Sequence, residues 1–290
     1  LSIGDYGPYS SPDLTEKQKS QQIMGTYATF QQSWGKLGYE LGTRWNAQST
    51  FGNYFTYNLN PYWAISQTAK LFVNYYTSFK TPSIYQLASP YGNLDLQPEQ
   101  GKTFELGAEK KFKSWKIRVV GFQNEVNQGI VFQSMDVEPF GKYQNISRQK
   151  THGIEFELGY QKAKFQADFN YTYLKGEMID RDSTYSSLIR RPSNAWNLYL
   201  QAKLTSNWSV GLSNQYVGQR TDYFYDESSY SVKANPMSAY LWTDVSVHYQ
   251  FNSKWKISAL LKNALNQEIT EITGYSGQPR NAQLTLLGSF

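Results

Sequence analysis

Ser78-Phe79-Lys80-Thr81-Pro82-Ser83-Ile84-Tyr85-Gln86-Leu87, running on through Tyr91-Gly92-Asn93-Leu94-Asp95-Leu96-Gln97-Pro98-Glu99, separates two stretches that alternate with a period of two. Before it, Leu71, Val73, Tyr75 and Phe79 share one parity, with Asn74, Ser78 and Lys80 on the other. After it, Phe104, Leu106 and Ala108 oppose Thr103, Glu105, Gly107 and Glu109. Such alternation describes strands of a sheet with one apolar and one polar face. The intervening piece carries three prolines, Pro82, Pro90 and Pro98, which lack backbone donors, and a Tyr-Gly-Asn turn. It reads as a loop of roughly twenty residues, a length that is usually functional.

Working outward, the same pattern recurs. Strand-like runs fall at 21–32, 36–46, 51–60, 68–79, 102–112, 116–132, 143–160, 164–175, 193–204, 209–220, 239–250, 254–262 and 281–290. Most reach about ten residues, the length a tilted strand needs to cross a bilayer. Their connections alternate short and long. Ser33-Trp34-Gly35, Lys113-Ser114-Trp115, Gln161-Lys162-Ala163, Thr205-Ser206-Asn207-Trp208 and Asn252-Ser253 are tight turns, and Pro61-Tyr62-Trp63-Ala64-Ile65-Ser66 reads as a longer but compact one. The links 80–101, 133–142, 176–192, 221–238 and 263–280 are long, and 47–50 is short for their class. Membrane barrels show this asymmetry, with short periplasmic turns and longer outer loops. Trp34, Trp63, Trp115, Trp208 and Trp255 lie at or near the short turns, as an interfacial aromatic belt requires. The expected fold is all-β, a transmembrane antiparallel β-barrel wall. Phe156, Leu158, Trp196, Leu198 and Leu200 should face lipid, and Glu155, Glu157, Asp168 and Asn170 the lumen.

Composition sets limits. The 290 residues include 24 Tyr, 16 Phe and 8 Trp, yet mean hydropathy is −0.60. No apolar run is long enough for a membrane helix, but alternation keeps a membrane strand's average low. Absence of cysteine excludes disulfides and thiolate metal sites. The net charge of +5 is spread along the chain, which gives no footprint for nucleic acid. His152 and His248 are the only histidines and have no ligand-like company, so no metal or other cofactor is expected. No nucleophile motif suggests an enzyme. Leu1-Ser2-Ile3-Gly4-Asp5 is not a signal peptide, so the gene product is expected to begin further upstream.

The opening stretch resembles the Ser-Phe/Tyr-Lys-Ala-Pro…Gln-Leu-Tyr…Tyr-Gly-Asn…Leu-x-Pro-Glu signature of TonB-dependent outer-membrane receptors, most like the cobalamin-transporting branch, with Thr81 in place of the commoner alanine. Tyr143-Gln144-Asn145…Gly153-Ile154-Glu155 is similar to the family's Tyr-x-Asn…Gly-x-Glu segment. Residues 262–280 resemble the segment before its last strand, although Gln278-Pro279-Arg280 departs from Pro-Gly-Arg. The resemblance covers about residues 70–290. It implies a barrel of about 22 strands filled by an N-terminal plug, of which this chain would supply the C-terminal part at 21–290, after an outer loop or loose end at 1–20. It also implies coupling to TonB through the N-terminal part, cobalamin or another small ligand, contact with membrane lipids, room for a surface lipoprotein, and an assembly signal at Phe290. Ligand contacts are expected from the outer-loop residues Tyr85, Tyr91, Asn93, Tyr223, Tyr225, Tyr230 and Tyr275, whose aromatic faces and polar groups suit a broad, partly apolar ligand. The acids of 221–232, with no Lys or Arg among them, speak against an anionic siderophore complex. A siderophore or haem receptor is the alternative within transport, and a soluble glycan-binding β protein the alternative of another class.

Overall fold

The computed structural model describes residues 21–134, 141–180, 183–185 and 188–289. The expected loose end at 1–20 and the assembly signal at Phe290 lie outside them. In order, the elements are β1 (Ile23–Trp34), β2 (Leu37–Gln48), β3 (Gly52–Ser66), β4 (Ala69–Lys80), α1 (Ile84–Ala88), β5 (Glu99–Phe112) and β6 (Trp115–Ser134). There follow β7 (Gly141–Lys162), β8 (Phe165–Asp180), β9 (Ser183–Tyr185), β10 (Asn194–Lys203), β11 (Trp208–Val217), β12 (Arg220–Asp226) and β13 (Ser231–Met237). The last are β14 (Tyr240–Gln250), β15 (Trp255–Lys262), β16 (Thr270–Ile272), β17 (Tyr275–Ser276) and β18 (Asn281–Gly288).

One antiparallel sheet carries the molecule, in the order β1-β2-β3-β4-β5-β6-β7-β8-β10-β11-β14-β15-β18. The thirteen strands of that path coincide with the thirteen runs of the sequence, and β9 is a fourteenth, paired with β8 off the path. β1 pairs with β2 and β18 with β15, so the order runs from one edge strand to the other without joining them.

Side-chain parity holds along the ladders of the sheet, interrupted by register shifts in the β3–β4 and β6–β7 pairs. In β5, Gly101, Thr103 and Gly107 are buried, whereas Phe104 is 49% and Leu106 56% exposed, so the polar parity lines the concave side. There Asn60 donates to Glu40 at 3.0 Å, Asn74 to Glu105 at 2.8 Å and Arg118 to Glu157 at 2.8 Å. On the convex side Phe156 meets Phe169 (6.2 Å), Phe169 meets Trp196 (6.3 Å) and Trp196 stacks on Tyr216 (5.7 Å). The short-turn end carries its belt: Trp34–Tyr39, Trp115–Tyr160, Tyr160–Phe165, Trp208–Tyr249 and Tyr249–Phe251 are all ring contacts. Leu284 and Leu286, 71% and 62% exposed, would each forgo about 1.5–3 kcal/mol if water covered them instead of lipid.

Several expected connections contain structure. The expected compact turn at 61–66 is strand: β3 continues to Ser66, with a register shift between Ala64 and Ser66. Pro61 is tolerated because it pairs with Tyr39 of β2, while the ladder to β4 passes from Leu59 to Tyr62 and never asks for its missing N–H. In the 176–192 link, β8 runs on to Asp180 and β9 folds back on it. The 221–238 link is mostly the hairpin β12–β13, and 263–280 holds the small hairpin β16–β17, turned at Gly274 with a left-handed φ of 87°. In the 80–101 loop lies α1.

An arginine at Phe156 or Trp196, on the lipid parity near the middle of the span, should lower the stability of the folded receptor by about 2–4 kcal/mol, while arginine at Asn170 on the lumen parity should cost much less. Unfolding by denaturant in a defined bilayer measures the difference. Equal costs on both parities would overturn the face assignment.

Candidate functional site

The expected ligand residues fall on two structures at the long-loop end. The first is a strap between β4 and β5. Ser83 caps α1, accepting from the Gln86 backbone N–H at 3.2 Å while the Gln86 side chain accepts from the Ser83 N–H at 2.9 Å. This capping box fixes the helix start. Leu87, Ala88 and Leu96 form a buried cluster against Phe51, Ile84, Ile130 and Tyr143, so the strap bridges the β2–β3 turn to the extension of β6 and β7. Gly92 closes it, for a Cβ there would stand 2.4 Å from the Leu87 carbonyl oxygen.

Within the strap Asn93 is a strut. Its Nδ2 donates to the Tyr143 carbonyl (2.9 Å) and its Oδ1 accepts from the Asp95 N–H (3.1 Å). The Tyr143 N–H donates to the Tyr91 carbonyl at 3.0 Å. Asn145 donates to the Gln97 carbonyl at 2.8 Å and accepts from the Gln97 N–H at 2.7 Å. Glu99 accepts from the Ile130 N–H at 2.9 Å and pairs with Lys80 at 3.3 Å. Tyr85 lies edge-on to Tyr143 (6.2 Å) and Tyr91 edge-on to Phe132 (5.4 Å), with Tyr85 itself exposed.

The second structure joins the two outer hairpins. Asp222 is fully buried at its centre. One carboxylate oxygen accepts from Arg190 Nε (2.6 Å) and the Tyr223 N–H (2.8 Å), and the other from the Thr273 N–H (2.8 Å). Asn235 donates to the Thr273 hydroxyl at 3.0 Å, and Arg220 reaches the Thr270 carbonyl at 2.7 Å. Tyr223 is half-buried here, and the Tyr225 side chain lies outside the described residues. Tyr230 at the β12–β13 turn is 81% exposed, and Tyr275 on β17 is 72% exposed. A cavity of about 300 Å³ opens at the base of the β12–β13 hairpin, lined by Leu188, Arg191, Ser193, Arg220 and Met237.

Two points of the sequence reading change. Two of the three acids of 221–232 are ion-paired, Asp222 with Arg190 and Asp226 with Lys233, which stands just past that segment, while Glu227 is exposed. The charge argument against an anionic ligand is left with Glu227 alone. The interlock around Asp222 also escaped the sequence, because its partners lie 32 and 51 residues away. For α1, the Ser83-x-x-Gln86 spacing was the available signal.

Concave polar wall, convex apolar belt and long outer loops define a section of an outer-membrane transport barrel. A family model for the TonB-dependent receptor-like β-barrel matches residues 2–264, and the chain belongs to that family of bacterial outer-membrane receptors. It is 27% identical over 276 residues to the vitamin B12 transporter BtuB of Vibrio cholerae, covering 93% of this chain and 43% of that protein. It resembles in fold the ferripyoverdine receptor of Pseudomonas aeruginosa (TM-score 0.78, 18% identity, 93% of this chain and 39% of that one). The siderophore receptor PirA of Acinetobacter baumannii is similar as well (TM-score 0.77, 17% identity, 93% and 46%). The chain thus spans less than half the length of each.

Burial acts most strongly on the Asp222 carboxyl and by itself raises its pKa. The Thr273 and Tyr223 N–H groups and Arg190 outweigh burial and hold it at about 2, below the ordinary value of 3.8. A depressed folded-state pKa gives stability that is complete above the unfolded value and is lost as pH falls through the folded one. Hydrogen-exchange protection of the Thr273 N–H, relative to a β4–β5 ladder amide, should therefore hold at neutral pH and decline from about pH 4 towards 2. Asp222→Asn should lower it about tenfold or more at pH 7, the scale of a hydrogen bond to a charged group. Unchanged protection in the variant would remove Asp222 from this role.

Proposed function

We propose that this chain is the C-terminal wall and outer-loop portion of a TonB-dependent receptor that imports a corrinoid such as cobalamin. The observation that carries the ligand class is the 27% identity to a vitamin B12 transporter, sustained over 93% of the chain. The siderophore receptors resemble it at 17–18% identity, which speaks to fold alone. In this reading a plug and the remaining strands come from the rest of the receptor, and TonB drives transport through the plug side. Cobalamin presents amide side chains and a broad ring, which the exposed rings and hydroxyls of Tyr85, Tyr230 and Tyr275 suit. Asn93 and Tyr91 serve the same site indirectly, by holding the strap. A surface lipoprotein could cover the outer loops, and lipids surround the wall.

A second reading, import of an anionic ferric complex, is favoured by the exposed Arg191 at the outer cavity and by the ion-paired acids of β12.

Replacing Tyr85, Tyr230 and Tyr275 together with alanine in the complete receptor should weaken cyanocobalamin binding at least about tenfold, or about 1.4 kcal/mol. Correct folding of the variant is checked first by its migration as a heat-modifiable barrel. Uptake of a ferric complex by the parent receptor, with cyanocobalamin neither binding nor competing, would replace the corrinoid reading with the second one.

A further inference from the structure

On the convex, lipid-facing parity, cations are distributed unevenly. β1 to β4 present Met24, Phe30, Leu41, Trp45, Phe55 and Leu71 and their neighbours, with no Lys or Arg on that parity. β10, β11, β14, β15 and β18 likewise present none. On β5 to β8 the apolar belt ends in two charged rows. Lys102, Glu125, Lys150 and Glu177 stand opposite one another across the four strands, and Gln123, His152 and Lys175 form the next row inward, beside Phe104.

Each lysine stands at a similar distance from the aromatic short-turn end of its own strand, Lys102 about ten residues from Phe112 and Lys175 about ten from Phe165. Lys150 is about ten residues along β7 from Tyr160 of the inner belt, which is the span of a tilted membrane strand. They therefore stand where the outer leaflet's hydrocarbon gives way to its headgroups. Lys102, His152 and Lys175 are exposed, and Lys175 Nζ lies 5.9 Å from the Tyr173 ring centre, on the membrane-facing side. Arg148, on the same parity, is committed to Glu125 at 2.6 Å. With it, four cations face two carboxylates, a net positive charge confined to one sector of the wall. Gln123, Lys150, His152, Lys175 and Glu177 also line a cleft of about 420 Å³ together with Arg191.

We propose that this sector is a binding site for a phosphate-bearing lipid of the outer leaflet. Its acyl chains would lie on the apolar convex rows of β5–β8, and its phosphate against Lys102, Lys150 and Lys175. A generic belt of basic side chains at the interface would be spread around the whole wall. Confinement to four strands, with a cleft at Lys150 and Lys175, marks a site. The location on the outer barrel surface makes it independent of which small ligand the receptor imports.

The test measures lipid bound to the complete receptor in detergent by native mass spectrometry, with lipid A and its dephosphorylated form as probes. The parent should retain lipid A and lose the dephosphorylated form. Lys102→Gln/Lys150→Gln/Lys175→Gln should weaken lipid A binding by about a hundredfold, from three lysines each worth about fivefold beside an anionic lipid surface. Lys110→Gln/Lys162→Gln, on the same parity at the short-turn end, should bind as the parent does. Should the triple variant not fold, Lys→Arg replacements at the three positions, which keep the charge, should retain binding, and high salt should abolish it in the parent. Equal retention of the two lipids, undiminished binding by the glutamine variant, or displacement by millimolar inorganic phosphate would each overturn the proposal.

Discussion

The structure depends on one constraint: in lipid every backbone N–H and C=O must find a partner within the protein. A meander of antiparallel strands satisfies it laterally, from β1 to β18, and leaves side chains free to differ on the two faces. The face rule follows from strand geometry, because successive Cβ atoms point to opposite sides. Residues far apart in sequence then become rows: Trp34, Leu37, Trp63 and Leu71 align across β1 to β4, and Leu158, Phe169 and Leu198 across β7, β8 and β10. The edge strands β1 and β18 present backbone groups that only further strands can satisfy in a bilayer, in keeping with a wall that spans less than half of its relatives.

The barrel wall was legible in the sequence because its determinants are local. Alternation in Phe165, Ala167, Phe169 and Tyr171 fixes the face of β8 without knowledge of any partner. The two-residue turns at Lys113 and Ala163, both with left-handed φ, fix the register that follows. The outer end was less legible. Asp222, Arg190 and Thr273 meet only because two hairpins and the β9–β10 connection converge above the sheet, and nothing in their local sequence reports it. Pro61 misled for a related reason: a proline ends a strand unless the ladder on its donor side is already interrupted.

The signature stretches acquire a physical meaning. Tyr91-Gly92-Asn93, Leu96-Gln97-Pro98-Glu99 and Tyr143-Gln144-Asn145 are bonded to one another, through Asn93 to Tyr143, Asn145 to Gln97 and Glu99 to Ile130. The motif that best reveals the family is a fastening that holds α1 and its loop across the barrel rim. Ligand choice then rests with side chains the fastening leaves exposed, such as Tyr85, and with the tips of the stapled hairpins. Rigid support beneath and exposed aromatic groups above is the arrangement expected where loops carry recognition.

The central claim is the two-faced membrane wall, and side-chain accessibility along β8 tests it most directly. Spin labels placed one at a time from Phe165 to Tyr173 in the complete receptor, reconstituted in a bilayer, report collisions with oxygen in the lipid and with a water-soluble nickel complex. The account expects positions 165, 167, 169, 171 and 173 to favour oxygen and 166, 168, 170 and 172 to favour nickel, alternating without a break. An inverted alternation, or a helical or featureless profile, would contradict it.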